Sequence, residues 1–143
     1  MTTEIGLKTL FCGTEEEYIQ EFCEIYKEEI HTPDGFIVFC KYLESTAKHV
    51  CRGGKKGPFQ ETRAMRIPWA KYILMNPDER IVLKDTSSDN ILFFLTRKKM
   101  PHLVVCKKLD NKWNLISSLV VGGKRAEKYR KGKPPYEFLP KNL

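Results

Sequence analysis

The sequence predicts an α+β fold in which N-terminal helices precede a roughly four-stranded antiparallel meander and a basic C-terminal segment. Two observations carry this. Apolar residues in the first half recur at helical spacing, and beyond residue 78 the chain turns into strand-length runs rich in Ile, Val, Leu and Phe. A length of 143 residues with 41% hydrophobic side chains suits one domain, 1–143, with a real core.

The stretch 14–30, "TEEEYIQEFCEIYKEEI", reads as an amphipathic helix. Thr14 stands as its cap, Glu17 as the capping-box partner three residues on, and Tyr18, Phe22, Ile25 and Ile30 as the apolar stripe. "TPDG" (32–35) is a turn, "FIVFCKY" (36–42) a short strand-like run and "ESTAKHV" (44–50) a short helix. Three glycines and a proline make "GGKKGP" (53–58) a loop. The stretch 59–77 is helical in pattern, but Pro68 must kink it or divide it in two. "ERIVLKDT", "NILFFLTRK", "HLVVCKKL" and "KWNLISSLVVG" follow as strands. Connections as short as "SSD", "KMP" and "DN" exclude parallel crossovers, hence the antiparallel meander. Within "LDNKW" an Asn tolerates the positive φ of a tight hairpin. "KRAEKYRKGK" (124–133) is a basic helix or tail.

Charge divides the chain. Residues 1–47 carry three Lys/Arg against ten Asp/Glu, while residues 48–143 carry 22 against eight, a net of −7 facing +14. Such asymmetry points either to a polyanion partner for the basic part or to a solvated basic surface, and composition leaves these even. No apolar run approaches the ~20 residues of a membrane helix, and "MTTEIGLKTLFCGTEEE" is not a secretory signal. A cytoplasmic location is the expectation, without membrane association. Five scattered cysteines with no Cys-x-x-Cys pair read as reduced, mostly buried thiols. His49 and Cys51 are the nearest ligand pair and have no partner pair at metal-finger spacing, so neither a metal site nor a cofactor is expected.

"KHVCRGG" (48–54) sets His49 among Lys48, Arg52, Lys55 and Lys56. Those cations would lower the imidazole pKa and favour its neutral, basic form. From the residues alone, capping or packing against the short helix is the slightly better reading of His49. Arg63 and Arg66 share a helix face at i, i+3 and form either a phosphate clamp or a solvated face. Lys124, Arg125, Lys128 and Arg130 belong to a basic run suited to phosphate contacts. Tyr136 stacks on a base, acts as a weak acid or packs under "PPYEF", Trp69 is assigned to the core, and His102, opening a strand, to a structural role.

The stretches "KHVCRGG", "TRAMRIPWAKYILMNPDE", "HLVVCKKLDNKWNLISSLVV" and "GGKRAEKYRKGKPPYEF" together resemble the phage-associated branch of the barnase, EndoU, colicin and RelE-like ribonuclease superfold. The resemblance covers 36–138 as a nuclease core and leaves the acidic helix of 1–35 outside it. It implies a metal-independent endoribonuclease of toxin or phage-effector type, acting on RNA such as tRNA by 2′-OH attack to leave a 2′,3′-cyclic phosphate. His49 would be the base, with Arg63 and Arg66 on the phosphate. Where the family carries Thr and an aromatic at the end of the fourth strand, this chain has Ser117, Ser118 and Leu119, keeping the hydroxyl and losing the aromatic. Strand alternation lets only one serine face the site, Ser117 by family register and Ser118 as the alternate. The histidine, turn and Arg helix would make one wall of an RNA cleft, the fourth strand and basic segment the other. A toxin of this kind implies an acidic neutralising partner, an immunity or antitoxin protein. The alternatives are a non-catalytic nucleic-acid- or protein-binding module on the same fold, which the Ser-Ser-Leu departure favours, and a docking domain using the acidic helix.

Overall fold

The computed structural model describes residues 8–52, 57–76, 78–84, 90–96 and 101–133. The α+β class stands. The element order is α1 (Glu15–Tyr26), β1 (Ile30–His31), β2 (Ile37–Phe39), α2 (Leu43–Arg52), α3 (Glu61–Ala64), α4 (Ile67–Met75), β3 (Glu79–Lys84), β4 (Asn90–Leu95), β5 (His102–Leu109), β6 (Lys112–Val120) and α5 (Gly123–Arg130).

The expected meander is present as β3 to β6, each neighbour antiparallel, but it is part of a larger mixed sheet of order β1-β2-β6-β5-β4-β3. The "FIVFCKY" run docks parallel to β6, with Val38 opposite Trp113, and brings β1 with it as a hairpin. Local sequence could not reveal this, because the parallel pairing joins segments more than 70 residues apart and is decided by burial of Val38 and Trp113 in the common core. Gly35, at φ 96°, closes the hairpin turn. Phe36 meets Phe94 and Trp113 edge-on, and Asp34 pairs with Arg80 of β3, so the sheet curls until its first hairpin reaches the strand at the opposite edge.

Helix α1 is capped as expected: Thr14 Oγ1 accepts from the Glu17 amide at 3.2 Å. The reciprocal half of the box is altered, because the Glu17 carboxylate takes the Thr14 hydroxyl at 3.2 Å. Tyr18, Phe22 and Tyr26 form the buried stripe. Residues 59–77 do divide at Pro68. A proline clashes with the carbonyl four residues earlier and offers it no N–H; that residue is Ala64, where α3 ends. Arg66 becomes the N-cap of α4 and Pro68 stands in its first turn. The Tyr26 hydroxyl then donates to the Ile67 carbonyl at 2.5 Å and accepts from the Lys71 amide at 3.0 Å, stitching α1 to the new helix. In the β5–β6 hairpin the positive φ falls on Asp110 (58°), the first turn residue, rather than on the expected asparagine.

The sheet is covered on both faces. Helices α1 to α4 pack on Leu92, Phe94, Val104, Cys106, Trp113 and Leu115. The alternate residues Leu95, Leu103 and Val105 turn to the other face, where Ala126 and Tyr129 of α5 cover them with Val121. The basic segment is therefore an amphipathic helix with its own core. Arg130 holds it down: Nε donates to Glu79 at 2.7 Å and Nη2 to the Thr96 carbonyl at 3.1 Å. Replacing Arg130 by Ala should cost roughly 1–3 kcal/mol in urea denaturation, since it leaves half-buried acceptors unsatisfied. Replacing exposed Lys128 should change stability by less than about 0.5 kcal/mol. Equal effects of the two would show that Arg130 is only a surface charge.

Candidate functional site

The site forms where α2, the α3–α4 break and the ends of β5 and β6 meet. His49 lies on α2, half-buried, with Nε2 3.3 Å from Ser117 Oγ. Burial and then the Arg63 charge hold its pKa below the ordinary histidine value. The direction agrees with expectation, but the cause differs: Arg63 replaces the flanking cations of "KHVCRGG". Arg63 Nε donates to the Val50 carbonyl at 2.9 Å, satisfying an acceptor at the end of α2, where carbonyls lack helical partners. This uses one of its five N–H donors. Arg66 lies next along the break, its guanidinium 5.3 Å from the Trp69 ring centre. Burial and then the Arg66 charge lower the pKa of Arg63, and burial followed by the Arg66 and Arg63 charges lowers that of His102.

The serines depart from expectation in two ways. Alternation allows one of them to face the site, yet each meets a histidine: Ser117 meets His49, and Ser118 Oγ lies 2.6 Å from His102 Nε2. Their β5 partners are the adjacent Val105 and Val104, and a register slip lies just before them. Val105 pairs with Ser117 but Cys106 pairs with Leu115, so β6 accommodates an extra residue just before the serines. Ser117 is also fully buried and Ser118 nearly so. Neither hydroxyl is displayed to a phosphate, as the sequence reading expected. Ser117 instead orients His49.

The cations separate into several groups. Lys48 is exposed beside the site. Arg52 makes a two-pronged bond to Glu15 of α1, at 2.6 and 2.7 Å, so the acidic helix takes up this charge. Lys124, Arg125 and Lys128 are exposed, but on α5, across the sheet from His49, and Arg130 is bound to Glu79. Ala126 and Tyr129 of α5 thus pack with Leu95, Leu103 and Val105 rather than with the core that α2 joins. Lys55, Lys56 and Tyr136 lie outside the described residues. Among the described residues no group of three or more His, Cys, Asp or Glu is placed to hold a metal ion, and no helix is long and apolar enough to cross a membrane.

Sequence reasoning missed His102 and the position of Trp69. His102 is buried with its backbone N–H on Thr96 Oγ1 (2.9 Å) and its ring 5.5 Å from Trp69. The structural role assigned to it is consistent with this burial, but its ring lies within the cluster. The spacing of Arg66 and Trp69 at i, i+3 was the available signal for the second pair; nothing local marks His102.

The fate of His102 generates a test. Burial and the two arginines push its pKa down to about 3, whereas the unfolded chain protonates near 6.5. Below that unfolded value the denatured state takes up a proton that the native state refuses. Stability should be fully present above about pH 6.5 and be lost as pH falls toward 3, by up to about 1.4 kcal/mol per pH unit. His102→Gln, which cannot protonate, should flatten this slope in urea denaturation between pH 7 and pH 4; identical slopes would assign the acid sensitivity elsewhere. Comparison with known proteins adds no relative to this picture: no family model, no curated protein and no solved structure matches the chain.

Proposed function

We propose that the chain is a metal-independent endoribonuclease of toxin or phage-effector type, working in the cytoplasm on RNA. The observation that carries this reading is the convergence of a half-buried histidine, kept neutral and bonded to Ser117, with Arg63 and Arg66 at a helix break. Neutral imidazole is the form that accepts a proton. With Nε2–H donating to Ser117, the Nδ1 lone pair takes the proton of the ribose 2′-OH. The 2′-oxygen attacks phosphorus and the bond to the 5′-oxygen breaks, leaving a 2′,3′-cyclic phosphate. Two guanidiniums stabilise the charge that gathers on the phosphoryl oxygens in between.

The departing 5′-oxygen needs a proton, and His102 is not its source. It is buried, its Nε2 is engaged by Ser118, and it stays neutral down to about pH 3. In this proposal the proton comes from Tyr136, one of whose readings from the sequence is a weak acid and which lies outside the described residues. The Ser-Ser-Leu departure favours the second reading, a non-catalytic nucleic-acid-binding module on the same fold. A neutralising protein partner, acidic where it covers the basic half, belongs to the first reading.

The deciding assay is RNA cleavage in EDTA with end-group analysis. Cyclic phosphate ends are expected, and His49→Ala should lower the rate about 10²–10⁴-fold with little change in RNA affinity or melting temperature. The acid limb of the wild-type rate should have its midpoint below about pH 6.5, because His49 titrates lower than an ordinary histidine. A fully active His49→Ala would sink the assignment; binding without cleavage would leave the module reading.

The exposed face of α5 supplies a second contact surface in this proposal. Replacing Lys124, Arg125 and Lys128 together by Ala should weaken RNA binding and flatten the logarithmic salt slope by up to about 2. An unchanged slope would return this face to the role of a solvated surface.

A further inference from the structure

The α3–α4 break leaves Arg66 at a helix N-cap, outside any regular backbone, with a long side chain that must be held by something else. Its guanidinium lies 5.3 Å from the Trp69 ring. The Trp69 ring also meets that of His102, ring centres 5.5 Å apart and planes tilted by 57°. His102 is anchored twice, through its backbone N–H to Thr96 Oγ1 and through Nε2 to Ser118 Oγ. The polar rings are kept there at some cost. Trp69 Nε1 and His102 Nδ1 are both buried without a partner among the described residues, and an apolar pair would avoid that penalty. What an apolar aliphatic pair would not provide is an electron-rich ring face for a cation.

We propose that Trp69 is a positioning residue, supported by His102 and Ser118, whose ring holds the Arg66 guanidinium in place for an incoming phosphate. This rests on the ribonuclease reading for its purpose, but the positioning itself is a property of the free protein. Ser118 fixes His102, His102 meets the indole, and the indole carries the cation. The network crosses from β6 to β5 to α4 and ends at the helix break. Holding the guanidinium before substrate arrives removes the ordering of a flexible side chain from the binding step. A neutral His102 is part of the device, since an imidazolium there would repel the cation it helps to hold.

The test has two arms on the full chain. In isotope-labelled protein, the Arg66 Nε–Hε resonance, identified by its loss in Arg66→Lys, should be displaced by the indole ring current. It should return to the random-coil position in Trp69→Leu and move part of the way in Trp69→Phe. A resonance already at the random-coil position in wild type, or unmoved by Trp69→Leu, would overturn the proposal. If Trp69→Leu does not fold, Trp69→Phe carries the same measurement with a smaller displacement. In the second arm, 2′-O-methyl RNA, which cannot be cleaved by this route, is titrated into wild type, Trp69→Leu, Arg66→Ala and the double variant. Trp69→Leu should weaken binding roughly 2- to 30-fold and should add little on the Arg66→Ala background. An equal loss on both backgrounds would make Trp69 a general packing residue and overturn the proposal. A displaced, Trp69-dependent resonance in a protein that binds no RNA would uphold the positioning while removing the ribonuclease reading.

Discussion

Pro68 imposes the constraint on which the site depends. A continuous helix over 59–77 would display Arg63 and Arg66 on one face, the geometry that sequence spacing suggests. The proline cannot accept Ala64 as its hydrogen-bonding partner, so the helix ends there and restarts at Ile67. Arg63 is then free to reach the end of α2, and Arg66 is left at the N-cap over Trp69. The buried Tyr26 hydroxyl ties the second piece to α1, bonded to one carbonyl and one amide of α4. Burial drives the Tyr26 pKa far up, so the phenol stays neutral and keeps both bonds.

The two histidines of the cluster show how burial decides chemistry. Both feel the Arg63 charge, His102 that of Arg66 as well, and both are bonded to a β6 serine. His49 is partly buried, and burial and then the Arg63 charge lower its pKa. His102 is buried against Trp69 and has been turned into a neutral wall. The serines lie just beyond a register slip in β6 and pair with the adjacent Val105 and Val104.

Acidic residues take up part of the basic half. Glu15 binds Arg52, Glu79 binds Arg130 and Asp34 binds Arg80. The acidic helix is therefore integral to the fold, packed on α2 and α4 through Tyr18, Phe22 and Tyr26, and its glutamate is held by the same helix that carries His49. Formal charge by segment overstates the cationic surface, because the partners lie far apart in sequence and close together in space.

Local chemistry in the sequence determined much of the structure. The Thr14 cap, the proline break, the strand periodicity and the short hairpin connections each act within a few residues, so helices, break and meander were all legible. His49, Arg63 and Arg66 were legible as a group for the same reason, lying within 18 residues of one another. The tertiary structure alone decided the rest. It placed β2 parallel to β6, put α5 on the far face of the sheet, brought each serine to a histidine, and buried His102 against Trp69. These depend on which apolar faces meet and on pairing between distant segments. Their energies come from burial and from partners that no local window of sequence contains.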